Sequence, residues 1–259
     1  MTSIIYSKDK KVARITINRP KARNALNRAV RLELRGIIED IEKDKDIHVA
    51  IITGAGDKAF IAGADISEFR EATPIMIEEF ASILGQKLFT DIENLRVPVI
   101  AMINGFCLGA GLEIAMCCDI RVASEKARFG HPEVNLGFYP GGGGTQRLPR
   151  LIGWGKAKEL IYTGRVIDAL EAGRIGLVDK VVPQDMLEKE VEQLTETIAS
   201  KSPLIIRLVK KAINKGLCTD LGAGLAYEKA NFALCFATED HMEGITAFLE
   251  KRKPQFKGK

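Results

Sequence analysis

Residues 48–53 read HVAIIT and residues 97–103 read VPVIAMI. Both are almost unbroken apolar, β-branched runs, short for a helix and lacking the alternation of a half-solvated strand. Runs of this kind are buried on both faces, which is the situation of strands in a parallel sheet covered by crossover helices. Helical patterns alternate with them. Val30, Leu34, Ile37, Ile38 and Ile41 recur at helical spacing behind Asn27, an expected N-cap. Residues 75–95 place Ile77, Phe80, Ile83, Leu84, Leu88, Ile92 and Leu95 along one helix face, with Thr73 as cap and Pro74 at the first helical position. Further strands are expected at 10–18, 119–123 and 178–182. Strands alternating with helices give an α/β architecture. Beyond residue 147 the chain turns helical, with helices expected at 155–163, 168–174, 186–200, 203–216, 220–237 and 240–252. Phe232, Leu234, Phe236, Ile245, Phe248 and Leu249 give that end a large apolar surface, to be folded back on the core or buried against another subunit.

A chain of 259 residues holds one large core, alone or with a small appendage. No apolar run reaches the roughly 18 residues of a membrane span, so no membrane association is expected. The N-terminal MTSIIYSKDKK lacks the apolar centre of a secretion signal. The five cysteines, an odd number in apolar surroundings, read as buried free thiols of a reducing compartment, with the cytoplasm as the expected location. Only three histidines occur, far apart in sequence, and no CxxC, so no metal site is expected. Net charge is +4, and its clearest cluster is the tail, Lys251, Arg252, Lys253, Lys257 and Lys259. That cluster reads either as a solvated terminus or as a contact to phosphate. Other cations are scattered, without the basic–aromatic interleaving of a nucleic-acid binder.

Chemistry concentrates in residues 103–147. Gly109-Ala110-Gly111 opens a short apolar helix, 110–117, in which Glu113 is the one carboxylate. Glu133 follows Pro132, and Gly141 to Gly144 lead into Thr145-Gln146-Arg147. Taken singly, Glu113 reads as a helix-dipole or capping residue, Glu133 as a loop residue and the glycines as a turn. Taken together they offer two acid/base carboxylates and backbone N–H groups facing an anion. The glycine run is no Walker A motif, since no Gly-Lys-Ser/Thr follows it.

Four segments carry a resemblance that covers essentially the whole chain: AFIAGADI (59–66), NGFCLGAGLEIAMCCDI (104–120), FGHPEVNLGFYPGGGGTQRL (129–148) and EGITAFLEKRK (243–253). In this order they resemble the crotonase superfamily, most nearly the enoyl-CoA hydratases. The resemblance implies an α/β fold of the crotonase type, a spiral of ββα units over residues 1–200 with a helical region, 201–259, that assembles trimers and hexamers. It implies an acyl-CoA thioester as substrate, with coenzyme A as part of that substrate and no separate cofactor. It makes the N–H groups of Ala64 and Ala110 an oxyanion hole, and Glu113 and Glu133 the pair that holds and activates water. For the remaining ligand contacts it points to Arg23, Ala25, Leu26, Ala62, Gly63, Asp65, Ile66, Gly109 and Pro132, and to Phe248 and Lys251 reaching a neighbouring subunit's nucleotide. Three departures stand out. Ala110 replaces a usual glycine, which requires a negative φ there. His131 replaces a common glutamine. Tyr139-Pro140-Gly141-Gly142 replaces a more usual aliphatic-Pro-Gly-small sequence, and from Tyr139 and Phe138 a narrowed pocket and short acyl chains are expected. Isomerisation, hydration of a cyclic enoyl-CoA and RNA binding are the alternatives within this fold.

Overall fold

The computed structural model describes residues 2–259. In chain order the strands are β1 (Ile4–Asp9), β2 (Val12–Ile17), β3 (Val49–Gly54), β4 (Ala59–Ile61), β5 (Val99–Ile103), β6 (Phe106–Leu108), β7 (Ile120–Ser124), β8 (Arg128–Gly130), β9 (Ile167–Asp168) and β10 (Lys180–Val182). A six-stranded sheet runs β1-β2-β3-β5-β7-β10 and a four-stranded sheet runs β4-β6-β8-β9. Three times in succession the chain gives one strand to the large sheet, bends, and gives the next to the small sheet: β3 then β4, β5 then β6, β7 then β8. Each pair is followed by helix. Inside each sheet the strands of successive pairs are parallel, and only β1 and β9 are antiparallel edges. This is the expected ββα spiral. The two apolar runs that announce it are β3 and β5, buried at every residue.

β1 escapes the sequence reading because its burial barely alternates; it is an edge strand held by pairing to β2. The helix behind Asn27 is Arg28–Lys43, and the Asn27 side chain accepts from Val30 N as a cap. The helix behind Thr73 runs from Pro74 to Glu93, with a π-helical stretch at Ala81–Lys87. That stretch corrects the single expected face. A wider turn rotates everything after it, so Leu84, Leu88, Phe89 and Ile92 are buried while Ile75, Met76, Ile77 and Ile83 remain exposed.

Helix Leu187–Ala199 packs Leu187, Val191 and Ala199 against the outer face of the large sheet, on Val49, Ile51, Ile100 and Val122. Three further helices follow, Pro203–Leu217, Leu221–Cys235 and Glu239–Leu249, capped by the side chains of Ser202, Asp220 and Thr238. Lys210 fastens the first of them to the sheet, donating to Asp119 Oδ2 at 2.7 Å and to the Val97 carbonyl at 3.0 Å. The apolar face of this region does not fold back: Phe232, Leu234, Phe236, Phe248 and Leu249 are all more than half exposed in the single chain. Cys107, Cys117 and Cys118 are buried thiols as expected, but Cys218 is exposed, because it sits at the solvent-facing C-cap of its helix, and Cys235 is only half-buried. No helix among the described residues is long and apolar enough to cross a membrane.

Candidate active site

Two turns meet where the spiral brings β4 beside β6. Gly63 has φ +119° and Gly109 φ +51°, values that a side chain rarely tolerates. Each glycine reverses the chain and is followed by an alanine of negative φ, so Ala110 carries no strain. A Cβ on Gly109 would lie 3.8 Å from Gly63 Cα, which sets the turns side by side. Ala110 is the first residue of helix Ala110–Cys117. Among the described residues, neither the Ala64 nor the Ala110 N–H donates to any protein acceptor. Two free backbone donors with a helix N-terminus behind one of them favour an anionic oxygen. Gly111 is small for a different reason: a Cβ there would collide with the Ile61 carbonyl, so the helix starts in contact with β4.

Glu113 lies on this helix, all eight residues of which are buried. Its Oε1 accepts from the N–H groups of Gly142 (2.7 Å) and Gly144 (2.8 Å), and its Oε2 has no partner. The glycine run is therefore neither a phosphate cradle nor only a turn. It begins helix Gly144–Ile152, and its N–H groups are spent on a buried carboxylate. Pro149 within that helix conceals it in the sequence. Burial pushes the Glu113 carboxyl above the usual range and the charge of Glu133 adds to this, against the two N–H donors.

Glu133 stands in a short 3-10 turn, Pro132–Leu136, and is 9% exposed. Its Oε1 lies 3.2 Å from His131 Nδ1, while its Oε2 is buried without a partner. A Cβ on Gly109 would come within 3.0 Å of Glu133 Oε1, so this carboxylate overlooks the Gly109-Ala110 turn. Both glutamates thus have one oxygen held by protein and one left over, beside two unused N–H groups. Such a site can hold a water between two carboxylates and stabilise negative charge growing on a carbonyl oxygen.

The loop at 23–26 is zipped to residues 62–65: Ala62 N donates to Arg23 O (3.1 Å), Leu26 N to Gly63 O (2.9 Å) and Asp65 N to Leu26 O (3.0 Å). Ala25, Leu26, Ala62 and Gly63 are therefore brought to the Ala64 turn. Asn24 pins this loop. It is fully buried at φ +60°, and its amide donates to Ala55 O (3.0 Å) and Ala59 O (2.8 Å). Its one signal is that Asn tolerates the left-handed region better than most residues. Arg23 lies over the Phe106 ring, 5.6 Å from its centroid, and with Lys21 and Lys58 lines an open groove of about 320 Å³. Ser67 and Arg19 hold the Asp65 carboxyl below its usual range, so its side chain is committed within the protein, as are its N–H to Leu26 and its carbonyl to Glu68. Ile66 is 43% exposed and Pro132 half-buried.

Phe138 packs edge-on against Phe69 at 6.0 Å, and Phe69 against Phe80 at 5.5 Å. Tyr139 does not join them. It is 68% exposed, since the extended chain after the Gly137 turn aims it at solvent, so only Phe138 remains to narrow a pocket. Phe248, 82% exposed, and Lys251 lie at the end of the last helix, and the single chain does not bring them to the glutamates.

The family model for enoyl-CoA hydratase/isomerase matches residues 7–259. A crotonyl-CoA hydratase of Syntrophomonas wolfei is 52% identical, over 98% of this chain and 97% of its own. A short-chain-enoyl-CoA hydratase of Clostridium acetobutylicum is 51% identical over the same shares. Among solved structures, an enoyl-CoA hydratase from Bacillus anthracis superposes with a TM-score of 0.96 at 44% identity, covering 100% of both chains. With its spiral of ββα units and full-length similarity of this degree, the chain belongs to the enoyl-CoA hydratase/isomerase family.

Proposed function

We propose that the protein adds water reversibly across the double bond of a short-chain trans-2-enoyl-CoA, giving the 3-hydroxyacyl-CoA. The observation that carries this reading is the pair Glu113 and Glu133, each with Oε2 free, beside the unused N–H groups of Ala64 and Ala110. The thioester oxygen sits between those N–H groups, which draw electron density off the β-carbon and hold the enolate-like charge as it forms; losing one such donor costs about 10²–10³ in rate. Water sits between the glutamates. Glu113 takes one proton as the water oxygen bonds to the β-carbon. Glu133 gives its proton to the α-carbon. A plain isomerisation would need only one carboxylate, and here both are built in.

The groove lined by Arg23, Lys21 and Lys58, with Asp57 its one acid, keeps a positive balance that suits the phosphates of coenzyme A, which enters as part of the substrate. The relatives named for crotonyl-CoA and short-chain substrates support the chain length, as does the Phe138 cluster. The exposed apolar faces of the last helices support a homotrimer, stacked into a hexamer, in which Phe248 and Lys251 reach a neighbour's nucleotide. The free thiols support a reducing compartment such as the cytoplasm. The fold does gather Arg96, Arg207, Lys210, Lys211 and Lys215 around one cleft of about 310 Å³, a cluster invisible in sequence. Lys210 is taken by Asp119, and Arg96 by the Glu42, Asp44 and Ile47 carbonyls, so three cations are left. That is short of the roughly 6–10 phosphate contacts of a nucleic-acid binder.

Steady-state kinetics on trans-2-enoyl-CoA esters of increasing length test the proposal. The expected result is a kcat/KM that is highest for crotonyl-CoA and falls as the chain lengthens. Conversion of 3-enoyl to 2-enoyl esters without hydration of crotonyl-CoA would replace hydration by isomerisation.

A further inference from the structure

His131 is the one histidine inside the site. It is fully buried, Nδ1 is 3.2 Å from Glu133 Oε1, and Nε2 is buried without a partner. Its ring lies close against Gly144, where a Cβ would come within 2.8 Å of Cε1. The tautomer follows from counting unsatisfied groups. With the proton on Nε2, a buried N–H would lack an acceptor and the Nδ1 lone pair would face a carboxylate oxygen. With the proton on Nδ1, one hydrogen bond forms and only a lone pair is unmet.

We propose that His131 is a positioning residue that makes the two oxygens of Glu133 inequivalent: Nδ1–H fixes Oε1, which leaves Oε2 as the single oxygen that carries the proton to and from substrate. This rests on the hydratase reading and deepens it. The two oxygens of a free carboxyl exchange by a half-turn, which would spend part of the population with the proton aimed away from the α-carbon. A hydrogen bond to Oε1 persists whether Oε2 is protonated or not, so the aim is kept through the whole cycle. Glu113 has the same arrangement by other means, with two backbone N–H groups on Oε1 and Oε2 free. The site thus presents one Oε2 from each side of the water.

The test compares His131→Leu, which keeps volume and loses the donor, with His131→Asn, whose amide nitrogen falls near Nδ1 and whose volume is smaller. Positioning predicts that H131L lowers kcat on crotonyl-CoA roughly ten- to a hundredfold, the loss of one hydrogen bond to a charged group, with KM unchanged. It predicts that H131N recovers most of that loss. Wild-type kcat in H131L, or H131N impaired as much as H131L, would reduce His131 to packing and overturn the proposal. Nitrogen NMR of the histidine-labelled protein gives a readout independent of turnover and of any variant's folding, and only three histidines need assigning. The Nδ1–H tautomer is expected for His131, and the Nε2–H tautomer overturns the proposal. Absence of hydration by the wild type would instead strike the hydratase reading, with the tautomer still deciding what His131 does.

Discussion

Adding one methyl group at Gly142 tests how Glu113 is held. A Cβ at this position would lie 2.5 Å from Glu113 Oε2 and 2.6 Å from Phe89 Cε2. Neither neighbour has room to yield, since Phe89 is fully buried and Glu113 is 3% exposed. Overpacking of this kind costs roughly 1–3 kcal/mol, a fall in Tm of about 2–12 °C for a chain of this size. The displaced Glu113 also loses the N–H of Gly142, and with the shift that of Gly144. Hydrogen bonds to charged groups contribute about 1.5–3 kcal/mol each, so kcat should fall roughly ten- to a hundredfold for each donor lost. Gly141→Ala is the control: its Cβ meets nothing within 4 Å and its φ is not positive. Crotonyl-CoA hydration and thermal melting of both variants decide the matter. A Gly142→Ala enzyme with wild-type kcat, or a Gly141→Ala enzyme equally impaired, would refute the account of the glycine run.

Ala110→Pro removes a single N–H at the first position of a helix, where proline is tolerated, so melting should hardly change while kcat falls about 10²–10³-fold; an unchanged kcat would remove Ala110 from the oxyanion hole. Glu113→Gln should melt higher than wild type at neutral pH. A carboxyl whose pKa is raised by folding contributes its full stability below the unfolded value of about 4.3 and loses it as pH rises through the folded value, and the amide escapes that loss. The gap in Tm should therefore close towards about pH 4, and a gap that widens on acidification would contradict the sign. Lys210→Ala leaves Asp119 without its cation at a site where Lys210 is 7% exposed and Asp119 24%, and should cost about 2–3 kcal/mol, seen as a lower urea midpoint; an unchanged midpoint would show that the C-terminal helices are anchored by other contacts.

The elements that read correctly are those whose burial is uniform or strictly periodic. β3 and β5 are apolar throughout, and helix Arg28–Lys43 has one stripe and one cap. The three-residue strands β4, β6 and β8 are too short to show a period, and the π-helical stretch at Ala81–Lys87 breaks the period that would have placed Ile77 and Leu84 together. At the site, residue chemistry alone selected Glu113 and Glu133, and resemblance added Ala64 and Ala110. What neither showed was who holds whom. The bonds from Gly142 and Gly144 to Glu113 span 29 and 31 residues, and they come from backbone N–H groups, which leave no trace in side-chain identity. Tyr139 misled because a bulky residue next to Phe138 looked like a wall, whereas the backbone turn after Gly137 decides which of the two faces inward. The gathering of Arg96 with residues 207–215 was hidden for the same reason, being a product of folding across more than a hundred positions.

On the proposed mechanism Glu113 and Glu133 act together on one water. It is tested most directly by following the loss of conjugated-thioester absorbance when crotonyl-CoA is mixed with wild type, Glu113→Gln and Glu133→Gln, with binding of the ester measured alongside. The paired site predicts that each amide variant still binds but hydrates at least about 10²-fold more slowly, the usual contribution of a positioned acid or base. Wild-type rates in both variants would contradict it.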